Sequence, residues 1–553
     1  MKFTPSLLVL ALLAGFAPAQ DARPEMGNPT TTEITTQAGE VTPDVDPLRS
    51  WTPEQRQTRA EELINKPLSV NGVTITPGRV RQALVLRHGR LQLDSRRLDL
   101  MIDAELEARR ARGEDVASVE PNAEEIDVAV QAVIDGVRAQ YPNLSVDDVL
   151  ASNNLSSESL RRQMVQTKRF DKVFLPSDRD WPAVTTEALS ATMEPAMIAQ
   201  IKETMSASQD AAGGAQMWSQ MVRQMIVQNL LKNSVVETPV DGLPDAVAQR
   251  VNGRDTLVAE VWDEVKPLVH PEDVRRIRQF LARMEAARQD LFAKGAWLTD
   301  DEFQAVYDKE AAVGAGGPFN IDMVVLTMKR FPDMNSYKAV LRGQRSYEKM
   351  IQDQITEEEL TNWVGRAGRL LGLGEVTTEI IHIAAYDHTV GAWHDNGWAA
   401  AQERADQMVE QLVESEGADW DRLLEENSDF YDPPVPAAAQ QQPGQQLKNK
   451  GRFGSIHRNL LMQMLGESEY TVFVDGYSIA DEVYYHQNVG SIDGPFKGKY
   501  GYYITRVDGR SGAKKPITLA DENMRSMVLE DYVMQHFVVY AQQMLEQAEV
   551  VGL

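Results

Sequence analysis

Val489-Gly490-Ser491-Ile492-Asp493-Gly494-Pro495-Phe496-Lys497-Gly498-Lys499-Tyr500-Gly501-Tyr502-Tyr503-Ile504-Thr505-Arg506-Val507 is the most patterned stretch of the chain. Gly490 marks a turn, and a short apolar segment containing Pro495 follows. Gly498 and Gly501 mark a second turn, and the residues after it alternate as a strand does. The stretch predicts two strands folding back on each other at a sheet edge. Upstream, Thr377-Thr378-Glu379-Ile380-Ile381-His382-Ile383 predicts a strand carrying a histidine. Trp398 to Glu416 predicts a helix, Trp420 opens a second, and Gly451-Arg452-Phe453-Gly454 predicts a turn. Residues 375–512 are therefore expected to form a small antiparallel sheet flanked by helices.

In these residues the chain resembles the parvulin-type peptidyl-prolyl isomerases. The 489–507 stretch is similar to the family's closing segment. Gly417-Ala418-Asp419-Trp420-Asp421-Arg422-Leu423-Leu424-Glu425-Glu426-Asn427-Ser428 resembles the block that starts its second helix. Gly451-Arg452-Phe453-Gly454 resembles its Gly-Gly-Asp-Leu-Gly turn with the first Gly missing. The resemblance implies rotation about X–Pro bonds, which needs no nucleophile, metal or cofactor. The barrier is that of a partial double bond, so a site that favours the twisted amide lowers it.

The resemblance also implies a site. His382 falls where the family's opening strand has its active-site histidine. With it go Tyr503 and either Asp429 or Asp432 as the catalytic set. Phe453, Met462, Met464, Tyr485 and Phe496 are the candidates for the apolar surface that holds the proline ring. Besides the missing Gly, the sequence departs from the family pattern in three places. Tyr503 stands where a second histidine is usual. The usual Cys or Asp after Ser428 falls, in strict register, at Phe430, so Asp429 or Asp432 serves only with a shift. A Pro-, Ala- and Gln-rich insert between Pro433 and Lys450 lengthens the neighbouring loop.

His388 and His394 lie near His382, but their spacing matches no tight zinc pattern, so no metal is expected. No G-x-S-x-G, P-loop or H-E-x-x-H motif is present.

At 553 residues the chain is long enough for several domains with their own cores. Its formal net charge of −26 repels phosphates and argues against nucleic acid as a partner. Met1-Lys2, the apolar run Leu7 to Leu13 and Ala17-Pro18-Ala19 predict a signal peptide over 1–19. The run is too short to span a bilayer, so no stable membrane insertion is expected after cleavage. The expected location is the periplasm or another extracytoplasmic space. The chain has no cysteine, so packing alone must stabilise it there. Residues 20–52, rich in Thr, Pro, Asp and Glu, read as a disordered leader.

Residues 53–179 read as a helical domain that carries a hairpin at Leu68 to Thr76, around Asn71-Gly72. One long helix is expected from Arg79 to Arg112, with others over 122–140, 144–151 and 156–174. The plan recurs over 246–355. Val251-Asn252-Gly253 matches Val70-Asn71-Gly72, and the helix stop at Gly295 matches Gly113. Val251 follows Val70 by 181 residues, and Arg345 follows Lys168 by 177. Near-constant offsets predict a duplication. Between the copies, residues 180–245 form a Met-rich connector. Met217, Met221 and Met225 fall on one helix face, read either as an adaptable client surface or as a core stripe. A hairpin with Val-Asn-Gly ahead of a helical bundle resembles the chaperone domain of SurA-like foldases, which precedes a parvulin domain and ends with a C-terminal helix. Residues 516–553 supply such a helix. Its apolar face, Val528, Tyr532, Gln535, Val539 and Leu545, is expected to dock on the N-terminal helical domain.

The fold class expected is α+β: mostly helical, duplicated chaperone domains plus a small parvulin-type domain. Three functions fit. One is an exported isomerase and chaperone for unfolded or proline-containing clients. The second is a non-catalytic holdase with a degenerate parvulin domain. The third is an envelope protein that reuses the helical repeat for assembly.

Overall fold

A computed structural model shows an α+β protein, mostly helical, with small antiparallel sheets. It describes residues 53–114, 116, 119–140, 146, 157–174, 223, 226–227, 230, 234–315, 321, 324–387, 392–393, 397–430, 450–475, 477–498 and 500–553. The expected signal peptide, leader, helix 144–151 apart from Val146, Met217, Met221, Met225, Asp432, His388, His394 and the 433–449 insert lie outside the described residues. Among the described residues, no helix is long and apolar enough to cross a membrane.

The chain divides into two compact units. One contains Gly89–Glu237 and Val247–Val261. The other contains residues 53–88, Thr238–Ala246 and Trp262–Leu553. The division runs through both stretches, 53–179 and 246–355, that the sequence marks as successive domains.

In the first unit the helices Arg90–Ala111 and Ser157–Phe174 share a core of Leu98, Ile102, Leu106, Phe170 and Val173. The helix Ala123–Gln140 starts with a reciprocal cap. Asn122 N donates to Glu125, and Glu125 N donates to the Asn122 side chain, each at 2.9 Å. The second hairpin, strands Val247–Val251 and Arg254–Leu257, gains a third strand from Val236–Glu237.

The second unit holds the first hairpin, Ser69–Val70 with Val73–Thr74. Both hairpins turn on left-handed Asn-Gly pairs, with φ of 49° and 79° at Asn71 and Gly72, and 50° and 80° at Asn252 and Gly253. Only such residues adopt this turn cheaply. The expected single helix from Arg79 to Arg112 is instead two helices, Pro77–His88 and Arg90–Ala111. Gly89, the weakest helix former after proline, sits at the break with φ −97° and ψ 20°.

The helices Pro271–Ala293, Met334–Ile351 and Glu522–Gln547 enclose one core that includes Phe280, Leu291, Tyr347, Phe473 and Phe537. The C-terminal helix therefore docks on these helices and on Glu357–Leu371. Its trailing strand, Val550–Val551, pairs with Ser69–Val70 of the first hairpin. Its buried face runs through Val528, Val533, Phe537 and Ala541, whereas Val539, expected inside, is 56% exposed. The buried stripe is rotated from the expected one because the partners lie on more than one side.

Within the same unit, the region that carries His382 has a four-stranded antiparallel sheet. Its order is Ile492–Lys497, Gly501–Arg510, Val376–Ala384, Arg452–Ile456. The helices Gly397–Glu414 and Trp420–Asn427 cover one face, packing Leu412 and Trp420 with Ile381, Ile383 and Ile504. The helix Arg458–Leu465 and the short turn Ile479–Asp481 cover the other, over Val376, Ile380, Tyr484 and Val507.

Candidate functional site

The two central strands put His382 directly opposite Tyr503. Strand alternation dictates the face: Val376, Ile380 and His382 share it with Tyr503 and Val507, while Ile381 and Ile383 point the other way. The rings of His382 and Tyr503 stack 4.5 Å apart at an interplanar angle of 8°. Gly501 permits the close pairing, since a Cβ there would lie 2.0 Å from the Ile383 carbonyl oxygen. Gly451 does the same on the other side of the central strand. It has φ +92°, and a Cβ would lie 1.8 Å from the Ile380 carbonyl oxygen.

After the helix Trp420–Asn427, the chain runs along the central strand. Asp429 N donates to His382 O at 2.7 Å, and His382 N donates to Ser428 Oγ at 3.2 Å. This backbone pairing fixes which side chain meets the imidazole. It is Phe430, edge-on with ring centroids 5.9 Å apart. Phe453 follows, 4.8 Å from Phe430. The Asp429 carboxylate is turned elsewhere. It accepts from Ala384 N at 3.0 Å and from Arg404 at 3.2 Å. Asp429 is thus engaged with a strand amide and a helix guanidinium, and the strict register that selects Phe430 is the one the chain adopts.

The apolar candidates gather in one cluster with Tyr503. Met462 is buried in it, and Met464, Phe453, Phe496 and Tyr485 pack at its margin. Phe496 is the cross-strand neighbour of Tyr503 on the side away from His382. Burial, with the charge of Asp531 adding to it, pushes the Tyr485 hydroxyl well above the usual phenol range. Burial does the same to Tyr503, with the nearby Tyr500 and Glu467 adding to it. Tyr503 is therefore a neutral phenol at any physiological pH. Gly498 closes the cluster over its ring: a Cβ there would lie 2.4 Å from Tyr503 Cε2 and 2.9 Å from Ile479 Cδ1. The outcome is a filled site. His382 is 3% exposed and Tyr503 1%.

Two features of the site were not legible beforehand. Glu467 is buried beneath this cluster and accepts from Ser478 Oγ at 2.8 Å, Ile479 N at 2.7 Å and Ala480 N at 3.1 Å. Burial pushes its carboxyl up to about 7 against these hydrogen bonds. The signal in the sequence is slight: an acid directly after Gly466, a left-handed helix end. The second is Arg458, which makes a buried pair with Asp481 through Nη2 at 2.8 Å and through Nε. It ties the helix Arg458–Leu465 to the turn that carries Ile479.

Chemically, the site offers an imidazole stacked on a neutral phenol within aromatic and aliphatic walls. Among the described residues, no group of three or more His, Cys, Asp or Glu is arranged to hold a metal ion.

No protein-family model matches the chain, and no curated protein does. Among solved structures, it is similar to the peptidylprolyl isomerase PrsA from Bacillus anthracis, at 16% identity and a TM-score of 0.20. That match covers 48% of this chain and 94% of the other. It is also similar to PrsA from Bacillus cereus, at 14% identity and a TM-score of 0.20, over 54% of this chain and 88% of the other. At such a TM-score the likeness establishes no shared fold.

Proposed function

We propose that this protein is an extracytoplasmic folding factor. It holds unfolded, proline-containing chains, and its 375–512 region is a parvulin-like isomerase domain. The observation that carries the reading is the His382–Tyr503 pair. It lies in register on the two central strands of an antiparallel sheet, walled by Phe430 and Phe453. An apolar, aromatic enclosure around a polar ring pair favours a twisted amide without nucleophilic chemistry. The clients are unfolded or proline-containing proteins, met in the periplasm or an equivalent space after removal of residues 1–19.

A second reading is a holdase whose parvulin-like domain no longer turns over. One observation favours it: both members of the pair are buried, at 3% and 1% exposure, so a prolyl ring enters only if the cover moves. A protease-free isomerisation assay on the full chain separates the two. The foldase reading expects acceleration over the uncatalysed rate, lost in His382→Ala, with client aggregation suppressed by both proteins. No acceleration by the unmodified chain, with suppression intact, leaves the holdase. Failure to suppress aggregation of any unfolded client sinks both.

A further inference from the structure

The two Val-Asn-Gly hairpins make the same clasp. Asn71 N donates to Glu549 O at 2.8 Å, and Glu549 N donates back to Asn71 Oδ1 at 2.8 Å. Asn252 N donates to Val235 O at 2.9 Å, and Val235 N donates back to Asn252 Oδ1 at 2.9 Å. In each case the clasped residue leads into a two-residue strand, Val550–Val551 or Val236–Glu237, that completes a three-stranded sheet. Element order also recurs. Each hairpin precedes a short helix, a long helix ending at a left-handed glycine, and two further long helices. One device used twice, in one order of elements, marks two copies of a module.

The hairpins, however, sit in the opposite copies. The helix Arg90–Ala111 follows the first hairpin in sequence but carries the second. Gln249 Nε2 donates to Leu93 O at 2.9 Å in a buried contact, and Arg254 pairs with Glu107. The helix Pro271–Ala293 follows the second hairpin but carries the first. Gln289 Nε2 donates to Val70 O at 3.0 Å, and Asn71 Nδ2 donates to Gln289 Oε1 at 3.0 Å. Arg278 of that helix donates to the carbonyls of Leu63, Lys66, Pro67 and Gly552, at 2.6–3.0 Å. It thereby joins the first hairpin's entry to the chain's last strand.

We propose that the helical part is two copies of one module that have exchanged hairpins within a single chain, so that each half of the chain is the folding partner of the other. The physics is that of a domain swap: like modules exchange an identical element, contacts are kept, and only connectors change. A hairpin without its sheet partner or helix is marginal in water. The half ending near residue 242 lacks the hairpin its helices need, and so does the other half.

The test is a protease site inserted in the full chain at Gly242, an exposed residue in a left-handed turn at φ +91°. After cleavage the two pieces are expected to co-elute in native buffer. Separated in denaturant, each is expected to show no cooperative unfolding of its helical part until remixed. Pieces that part after cleavage, or that each regain a cooperative helical transition alone, overturn the exchange. Cross-linking decides the matter even if the inserted site resists cutting. The chain has no cysteine, so introduced pairs are unambiguous. A short bismaleimide should join Glu107→Cys to Arg254→Cys, and Asn71→Cys to Gln289→Cys. Unexchanged modules would instead join the partners one 181-residue offset away, Arg288→Cys with Arg254→Cys and Ala108→Cys with Asn71→Cys. The first two pairs are expected to give at least ten times the intramolecular product of the last two. The reverse ratio, or equal yields, overturns the proposal.

Discussion

The carboxylate of Glu467 is buried and held by neutral donors: one hydroxyl and two amides. The nearby carboxylate of Asp481 raises Glu467 further, after burial. Its pKa rises from the usual 4.5 to about 7 in the fold. A raised folded value means the protonated form is the preferred one. The stabilisation is full below about 4.5 and is lost as pH rises through about 7. At about 1.4 kcal/mol per pKa unit, the window is worth roughly 3 kcal/mol. Glu467→Gln keeps the acceptor and removes the titration. Denaturant midpoints at pH 5 and pH 8 should show the variant gaining on the native chain at pH 8. A difference between the two proteins that does not change with pH would refute the assignment. Gly498 is the other residue on which the site turns. Gly498→Ala drives a methyl into Tyr503, with Ile479 behind it. The expected loss is about 1–3 kcal/mol, the usual cost of overpacking. Gly512→Ala, with nothing within 4 Å of the added carbon, is the control that should show none.

Helix contacts decide how the C-terminal helix is held. In the helix Met334–Ile351, Gly343 is the socket for Phe537: a Cβ would lie 2.4 Å from Phe537 Cζ. Glycine normally weakens a helix by about 1 kcal/mol relative to alanine. Gly343→Ala should nevertheless lower the melting temperature, because displacing a buried ring costs about 1–3 kcal/mol. Phe537→Ala should cost more, about 3–5 kcal/mol, by leaving a cavity beside Tyr347 and Phe473. A higher melting temperature in Gly343→Ala would show that the ring is not seated there. Element by element, local signals were legible. Asn-Gly placed both hairpins, Gly113 and Gly295 placed helix ends, and alternation placed Thr377 to Ile383 and the His382 face. What the sequence did not show is non-local. Nothing in Val70-Asn71-Gly72 says which long helix its hairpin will meet, since both copies offer similar surfaces. Nor does residue chemistry alone show that Phe430 meets the imidazole, because the pairing of Ser428 and Asp429 with His382 sets which side chain faces it.

Over the whole chain, 82 acidic residues stand against 56 basic ones, for a net charge of −26. A field of that sign draws in cationic chains and slows anionic ones before any contact forms. If the protein holds unfolded clients, the sign of the client's charge should therefore appear in the association rate. Raising salt from about 10 mM to about 1 M shrinks the screening length from about 30 Å to about 3 Å. Capture of a cationic unfolded client should slow about tenfold or more over that range. Capture of an anionic client of matched length and hydrophobicity should quicken. Burial of apolar surface is not weakened by this screening, so the end-point suppression of aggregation should change far less than the rate. Stopped-flow association with the two clients measures the difference. If both respond to salt in the same direction, the charge plays no part in capture, and apolar contact alone accounts for it.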